Sequence, residues 1–392
     1  MVIDMKMFFC RFVSFVLVSG ITCSMVFAQK EYEKLFLKGN LADKNKAVAE
    51  AQSYGDGALA LNALEFAVSA RKILGEDSEL AELCVTSVKS LSLGNSKGRE
   101  SEVSSALCKV FREFSDERVR IAVIDAFSDF SSAEAVLLVN TYFNQRMENN
   151  EQMDEVLLKS VLFMGNYGNS YSFRLLFIGD ILDVWPTYSE NLSNSYGVLA
   201  DRHEGEILQI LSTVPPERRI VILKKINLNK KISEKVRGIV AENALSSVIY
   251  NGKEVKSKFS REDVELMLLS LEVAASTKWT RASSVSRDCF EVLKSQYEDN
   301  QVSEESFSLA IRNLAAIGSQ DIVQALSLYL DSLNKKAESN SLSSNAVVLS
   351  VIESLGELGD KSAFDYLLYV TYLDYPAEVT DAAKSALAKL KW

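Results

Sequence analysis

Nucleophilic catalysis needs a base beside the nucleophile, and that base is most often a histidine. This sequence contains one, His203, within Asp201-Arg202-His203-Glu204-Gly205-Glu206. Every Ser/His/Asp or Cys/His system is confined to that residue, and a metalloprotease motif is excluded because its second ligand histidine is missing. We read His203 as a loop or helix-cap residue. Carboxylates are plentiful, with 53 Asp and Glu, yet no two stand out as an acid and base pair. Phosphate-cradling loops of the GxxxxGK[ST] or GxGxxG kind do not occur. No catalytic residue, metal site or cofactor is expected, and a non-enzymatic role follows.

Two other groups of residues have binding chemistry. Residues 217–237 hold Arg218, Arg219, Lys224, Lys225, Lys230, Lys231, Lys235 and Arg237 against Glu217 and Glu234, a local net charge of +6. Such a segment suits docking to an acidic partner or an anionic lipid surface. The plainer alternative is the solvated sides of two helices, with Ile220, Val221, Leu223 and Ile226 turned inward. Tyr366, Tyr369 and Tyr372 are spaced i, i+3, i+6 and so share one arc of a helix. Aromatic side chains so placed anchor partners in a groove, or they pack between neighbouring helices.

The whole chain carries a formal charge of -10 over 392 residues. That argues against nucleic-acid binding, which needs a basic surface to displace counterions. The amino terminus reads as an export signal: Lys6 and Arg11 precede an apolar run from Phe12 to Phe27, closing on Val26-Phe27-Ala28. Cleavage is expected after Ala28, with Met1, Met5 or Met7 as the start. The apolar run falls short of the roughly 20 residues that span a bilayer, and Ser19-Gly20-Ile21-Thr22 before Cys23 makes a poor lipobox. Without residues 1–28 the net charge is -11 and three cysteines remain, Cys84, Cys108 and Cys289. An odd number without CxxC spacing excludes a disulfide-dense scaffold or a cysteine zinc site. Small buried apolar side chains are the expected role; a Cys84–Cys108 bridge stays open at this point.

These residues must be positioned by helices. Only Pro186, Pro215, Pro216 and Pro376 interrupt the chain, and proline scarcity favours long helical runs. Self-comparison shows a repeat. Asn313-Leu314-Ala315-Ala316-Ile317-Gly318 aligns with the stretch from Ser354 to Gly359 at a period of 41. Leu162 to Gly168 repeats the turn, and weaker copies turn at Gly55, Gly94 and Ser131. Spacings of 39, 37 and 37 between the turns at 55, 94, 131 and 168 indicate stacked hairpins. Recurrent glycine at the turns fits a left-handed helix exit. Within the last repeat, second and third helices are expected over 361–373 and after Pro376. Residues 186–206, 250–262 and 338–345 read as loops or insertions.

Asp116-Glu117-Arg118-Val119-Arg120-Ile121-Ala122-Val123-Ile124-Asp125-Ala126-Phe127 resembles the D-x-x-V-R-x-x-A-x-x-A-L helix of the HEAT repeat family, in its short lyase-type variety. Lys235 to Leu245 is similar, and Glu378 to Leu387 departs by placing Thr380 and Asp381 where V-R would stand. The resemblance implies an all-α superhelical solenoid of HEAT-like hairpins (ARM/HEAT type), eight to nine repeats in all. It also implies a structural pairing of Asp and Arg between neighbouring repeats, carried over to Asp116, Arg120 and Arg237. The expected divisions are a signal peptide at 1–28, regular repeats at 29–185, degenerate repeats at 186–262 and regular repeats at 263–392. The expected function is a periplasmic scaffold or adaptor holding a protein partner. Peripheral membrane contact is compatible but not required, and self-association through the carboxyl-terminal repeat, which ends on Trp392, is a further option. The alternative is an exported enzyme or small-molecule binder with its site in 186–262, of which a lyase-type HEAT protein is the nearest.

Overall fold

The computed structural model describes residues 31–254, 259–339, 341 and 343–391. The expected leader and its cleavage site, and Trp392, lie outside the described residues. Among those described, the chain is all-α: short turns join helices that pack on one another in series, the arrangement of an α-solenoid. In chain order they are α1 (31–38), α2 (Leu41–Ser53), α3 (Gly57–Leu74), α4 (Ser78–Ser90), α5 (Glu100–Glu113), α6 (Glu117–Ala126), α7 (Ala133–Glu148), α8 (Glu155–Tyr167), α9 (Ser170–Ile181) and α10 (Ser189–Ala200). There follow α11 (Glu204–Thr213), α12 (Pro216–Leu228), α13 (Glu234–Glu254), α14 (Arg261–Ser276), α15 (Ser283–Glu298), α16 (Glu304–Ile317), α17 (Gln320–Glu338), α18 (Asn345–Leu358), α19 (Phe364–Val370) and α20 (Ala377–Lys389). Nine successive helix pairs run from α2 to α19 among the described residues.

Contacts divide the chain into two compact units that meet in sequence at Ser195 and Tyr196, inside α10. In the first unit α2, α4, α6 and α8 pack in sequence as one layer and α3, α5, α7 and α9 as another. The second unit repeats the pattern, with α12, α14, α16, α18 and α20 against α11, α13, α15, α17 and α19. A hairpin cannot bury its apolar stripe alone, so each helix offers one side to its partner layer and its edges to the helices before and after. Large apolar side chains such as Leu64, Leu83, Phe127, Phe173, Phe290 and Phe307 fill the space between layers and are fully buried.

The even-numbered layer is the closer packed, and its contact positions are small. Ser87, Ser160, Ser270, Ser308 and Ser354 are buried there. A Cβ on Gly356 of α18 would stand 2.8 Å from that of Ala386 in α20, and one on Gly165 of α8 would stand 2.8 Å from that of Ser195. Neither glycine has a positive φ. They are there because the neighbouring helix leaves no room.

Turn chemistry corrects part of the glycine argument. Gly318 and Gly359, which cap α16 and α18 one period apart, do take positive φ, 70° and 66°, and Gly55 does so at 74°. Gly168 does not: its φ is -69°, and the requirement is steric, because a Cβ would lie 2.1 Å from the Met164 carbonyl oxygen. Nothing in the structure explains Gly94. Four non-glycine residues adopt the left-handed conformation instead, Asn150, Asp183, Lys278 and Asn300. Two of them precede a tryptophan that closes the turn. Trp185 Nε1 donates to the Glu151 carbonyl at 2.8 Å and Trp279 Nε1 to Glu242 Oε2 at 2.7 Å. In each case a short 3-10 turn follows, Pro186–Tyr188 and Thr280–Ala282.

Residues 186–206, read as an insertion, are mostly helical: α10 covers 189–200 and α11 begins at Glu204. Polar, serine- and asparagine-rich sequence suggested a loop, but Leu192, Tyr196 and Leu199 are fully buried and supply the apolar side of α10. Likewise α13 runs through Tyr250 to Glu254; residues 255–258 lie outside the described residues, as do 340 and 342 in the 338–345 stretch. The helix expected over 361–373 is shorter, a 3-10 turn at Lys361–Ala363 leading into α19.

Candidate functional site

Asp116 caps α6, its side chain accepting from the Arg118 amide at 2.9 Å, and it pairs with the Arg118 guanidinium at 2.9 Å. That bonding to Arg118 holds the Asp116 carboxyl below the usual carboxylate range. Arg120 goes elsewhere. Its Nε donates to the Phe114 carbonyl at 2.9 Å, and its guanidinium stands 5.4 Å from the Phe111 ring centre and 5.0 Å from that of Tyr142. The Asp–Arg pair between repeats that the family resemblance implied is therefore not formed by these two residues. Arg120 instead caps the exit of α5, where carbonyls carry partial negative charge. Arg237 makes the same kind of contact, long at 3.5 Å, to the Asn227 carbonyl near the end of α12. Arg219, counted above with the basic docking segment, does so at 2.9 Å to the Val214 carbonyl and at 2.8 Å to Ser247 Oγ.

The basic segment is thereby divided. Lys224 Nζ lies 2.9 Å from Glu265 of α14, and Lys235 3.7 Å from Glu204 of α11. Arg218 is exposed at the start of α12, Lys225 is half-buried in its last turn, and Lys230 and Lys231 are exposed in the turn beyond it. α12 has 13 residues, so these groups are strung over roughly 20 Å of axis.

Tyr366 and Tyr369 lie on α19, whereas Tyr372 lies in the turn after it. Tyr369 and Tyr372 are exposed, Tyr366 half-buried. Tyr369 Oη hydrogen-bonds Glu338 of α17, which pushes its pKa up. His203 occupies the N-cap position of α11, and burial beside Arg202 lowers its pKa. Cys84, Cys108 and Cys289 are buried and unbridged, and burial raises the first two thiols to about 12 and about 11. Among the described residues no three His, Cys, Asp or Glu side chains converge as a metal site.

Surface recesses in the described residues include the following three. One, of about 220 Å³, lies by the α3–α4 and α5–α6 turns and includes Arg71, Glu76 and Asp116. Arg71 and Glu76 pair across it at 2.9 Å. A larger one, of about 700 Å³, separates α3 from α5, and Arg99 grips Glu102 in it through two bonds of 2.7 and 3.0 Å. The third, of about 240 Å³, runs between α14 and α16 and ends against Lys224 of α12. Its floor is Leu268, Leu269 and Leu309, and its rim is Glu265, Glu272 and Asn313.

Local sequence explains this third recess. Ser260 and Asp263 form a capping box that starts α14, Ser303 caps α16, and Gly318 ends it. Buried Ser270 and Ser308 let the two helices approach. Residues 41 apart face each other across the layer: Lys224 bonds Glu265, and Ser306 and Asn313 line the recess opposite Glu265 and Glu272. Leu309, 46% exposed, is the most open of the three leucines. Sequence inspection passed over it, because one leucine at a helical spacing reads as core. Its signal was positional: Leu309 follows Glu305 by one turn.

The fold defines a class, the all-α solenoid whose helices pack on one another in series. No protein-family model matches the chain, and no curated protein matches it in sequence. Among the described residues no helix is long and apolar enough to cross a membrane.

Proposed function

We propose that this protein is a non-enzymatic scaffold or adaptor, exported to the periplasm by the 1–28 leader, that holds a protein partner on its stacked helices. The observation that carries this reading is the α14–α16 groove, where half-exposed leucines sit beside a carboxylate rim on a close-packed helical layer. Solenoids use such side-by-side helices as extended binding surfaces. The HEAT-type character of the repeats supports the same role, through the resemblance of the 116–127 helix.

The second reading, an enzyme or small-molecule site in 186–262, asks for an irregular segment with convergent polar groups; helices α10 to α13 occupy most of that stretch, and no observation favours it. Crosslinking in the native envelope with the tagged full chain, followed by mass spectrometry, is the test. Recovery of one protein in fixed stoichiometry is expected. Recovery of the chain alone, from envelopes in which it is folded, sinks the scaffold reading.

A further inference from the structure

We infer that the α14–α16 groove receives an amphipathic helix whose large aliphatic residue is followed three or four positions later by lysine or arginine. This rests on the scaffold reading above and names the chemistry of the partner.

The floor sets the first requirement. Leu268 and Leu269 face Leu309 across a recess of about 240 Å³, room for one or two aliphatic side chains and too little for a whole helix. A groove between two packed helices takes a ridge of side chains from a third.

The rim sets the second requirement, and it is asymmetric. Glu265 is already neutralised by Lys224 at 2.9 Å, so a second cation at that end would meet a lysine. Glu272, one turn beyond Leu268 and Leu269, is exposed and its side chain makes no ion pair or hydrogen bond among the described residues. Outside the recess lining, Glu305 on α16 and Glu353 and Glu357 on α18 are exposed and form no ion pair among the described residues. Arg312, the cation among them, is turned to Ser350 Oγ at 3.1 Å. A basic side chain therefore belongs at the Glu272 end and the apolar one toward α12. That fixes the direction of the incoming helix as well as its composition.

Leu269 and Glu272 are three residues apart, roughly 4.5 Å along α14. A partner helix laid alongside must present its apolar and basic groups at a matching separation, which is the i, i+3 or i, i+4 spacing. An anionic membrane surface or an acidic peptide is repelled by the same rim.

A display library of 16-residue peptides, panned against the full chain, tests this. Enriched peptides are expected to carry Leu, Ile or Met followed at three or four positions by Lys or Arg. They should bind at least tenfold more weakly to Leu309→Asp and to Glu272→Lys, and more weakly to the wild type as salt is raised. Leu309 and Glu272 are exposed, so neither change should unfold the helix, and a thermal melt checks that. Leu162→Asp, on the 48%-exposed leucine of α8 in the first unit, should leave binding unchanged. Enrichment of acidic or patternless peptides overturns the inference, as does equal binding by the Leu309 and Glu272 variants. If the envelope partner crosslinks equally to wild type and to Leu309→Asp, the groove assignment fails while the scaffold reading stands.

Discussion

The same even-numbered layer is finished differently in the two units. In the first, charges on adjacent helices answer each other: Glu82 of α4 meets Arg118 of α6 at 3.3 Å, and Asp125 of α6 meets Lys159 of α8 at 2.8 Å. In the second, Lys224 answers Glu265, and beyond that point Glu272, Glu305, Glu353 and Glu357 form no ion pair among the described residues. Exposed ion pairs contribute little to stability, about 0–1 kcal/mol each. Their pattern speaks of what the surface is free to meet. Exposed carboxylates outside any ion pair occur in both units among the described residues, Glu79 and Glu117 in the first, so the difference lies in how many charges bridge adjacent helices, and unpaired carboxylates repel one another until an outside cation arrives.

Substitutions in both units test that contrast, and the largest effect should come from the helix-to-helix contacts within that layer, where the units are alike. Gly356→Val and Gly165→Val each place a β-branched side chain where a Cβ would already be 2.8 Å from the facing helix. Overpacking costs about 1–3 kcal/mol and more when backbone must move, so both should lower the thermal midpoint by several degrees. A large loss in one unit only would break the equivalence of this layer in the two units.

An intermediate effect is expected at the capping arginines. Arg120→Ala removes a charge-assisted bond together with contacts to two aromatic rings, about 2 kcal/mol in all. Arg219→Ala removes two hydrogen bonds and no ring contact, so denaturant titration should show a smaller loss, about 1 kcal/mol. An Arg219 change that spares stability but abolishes partner crosslinking would return that residue to a docking role.

The smallest effects sharpen the comparison most. Arg118→Ala and Lys159→Ala should each cost little stability, and less in high salt. Glu353→Gln should be neutral or slightly stabilising, because it relieves like-charge repulsion instead of breaking a pair. Equal destabilisation by all three in low-salt melts would show that the second face is compensated after all.

Repetition was legible in the sequence where the backbone demanded it. Gly318 and Gly359 are visible one period apart because a left-handed exit tolerates little else. The α10 helix was not legible, since its buried Leu192, Tyr196 and Leu199 are diluted by Ser, Asn and Glu that point outward. The HEAT-like motif found helices α6, α13 and α20, but α13 belongs to the odd-numbered layer and the other two to the even; an amphipathic pattern marks a helix and not its layer. The hydrogen bonds of Arg219 were not legible for a related reason. Charge can be counted along a chain, while the carbonyl that an arginine serves is five residues upstream and round a turn. The groove was the least visible of all, being made by residues a whole period apart.

The buried thiols give the molecule a chemical clock. Cys84 and Cys108 sit in the first unit and Cys289 in the second, all fully enclosed, and burial holds each thiol protonated well beyond neutral pH. An alkylating reagent therefore reacts only when the surrounding helices part and the sulfur both meets water and ionises. Each cysteine's labelling rate then reports how often its own part of the stack opens. A ligand that clamps α14 to α16 should slow Cys289 and leave Cys84 and Cys108 at their own pace.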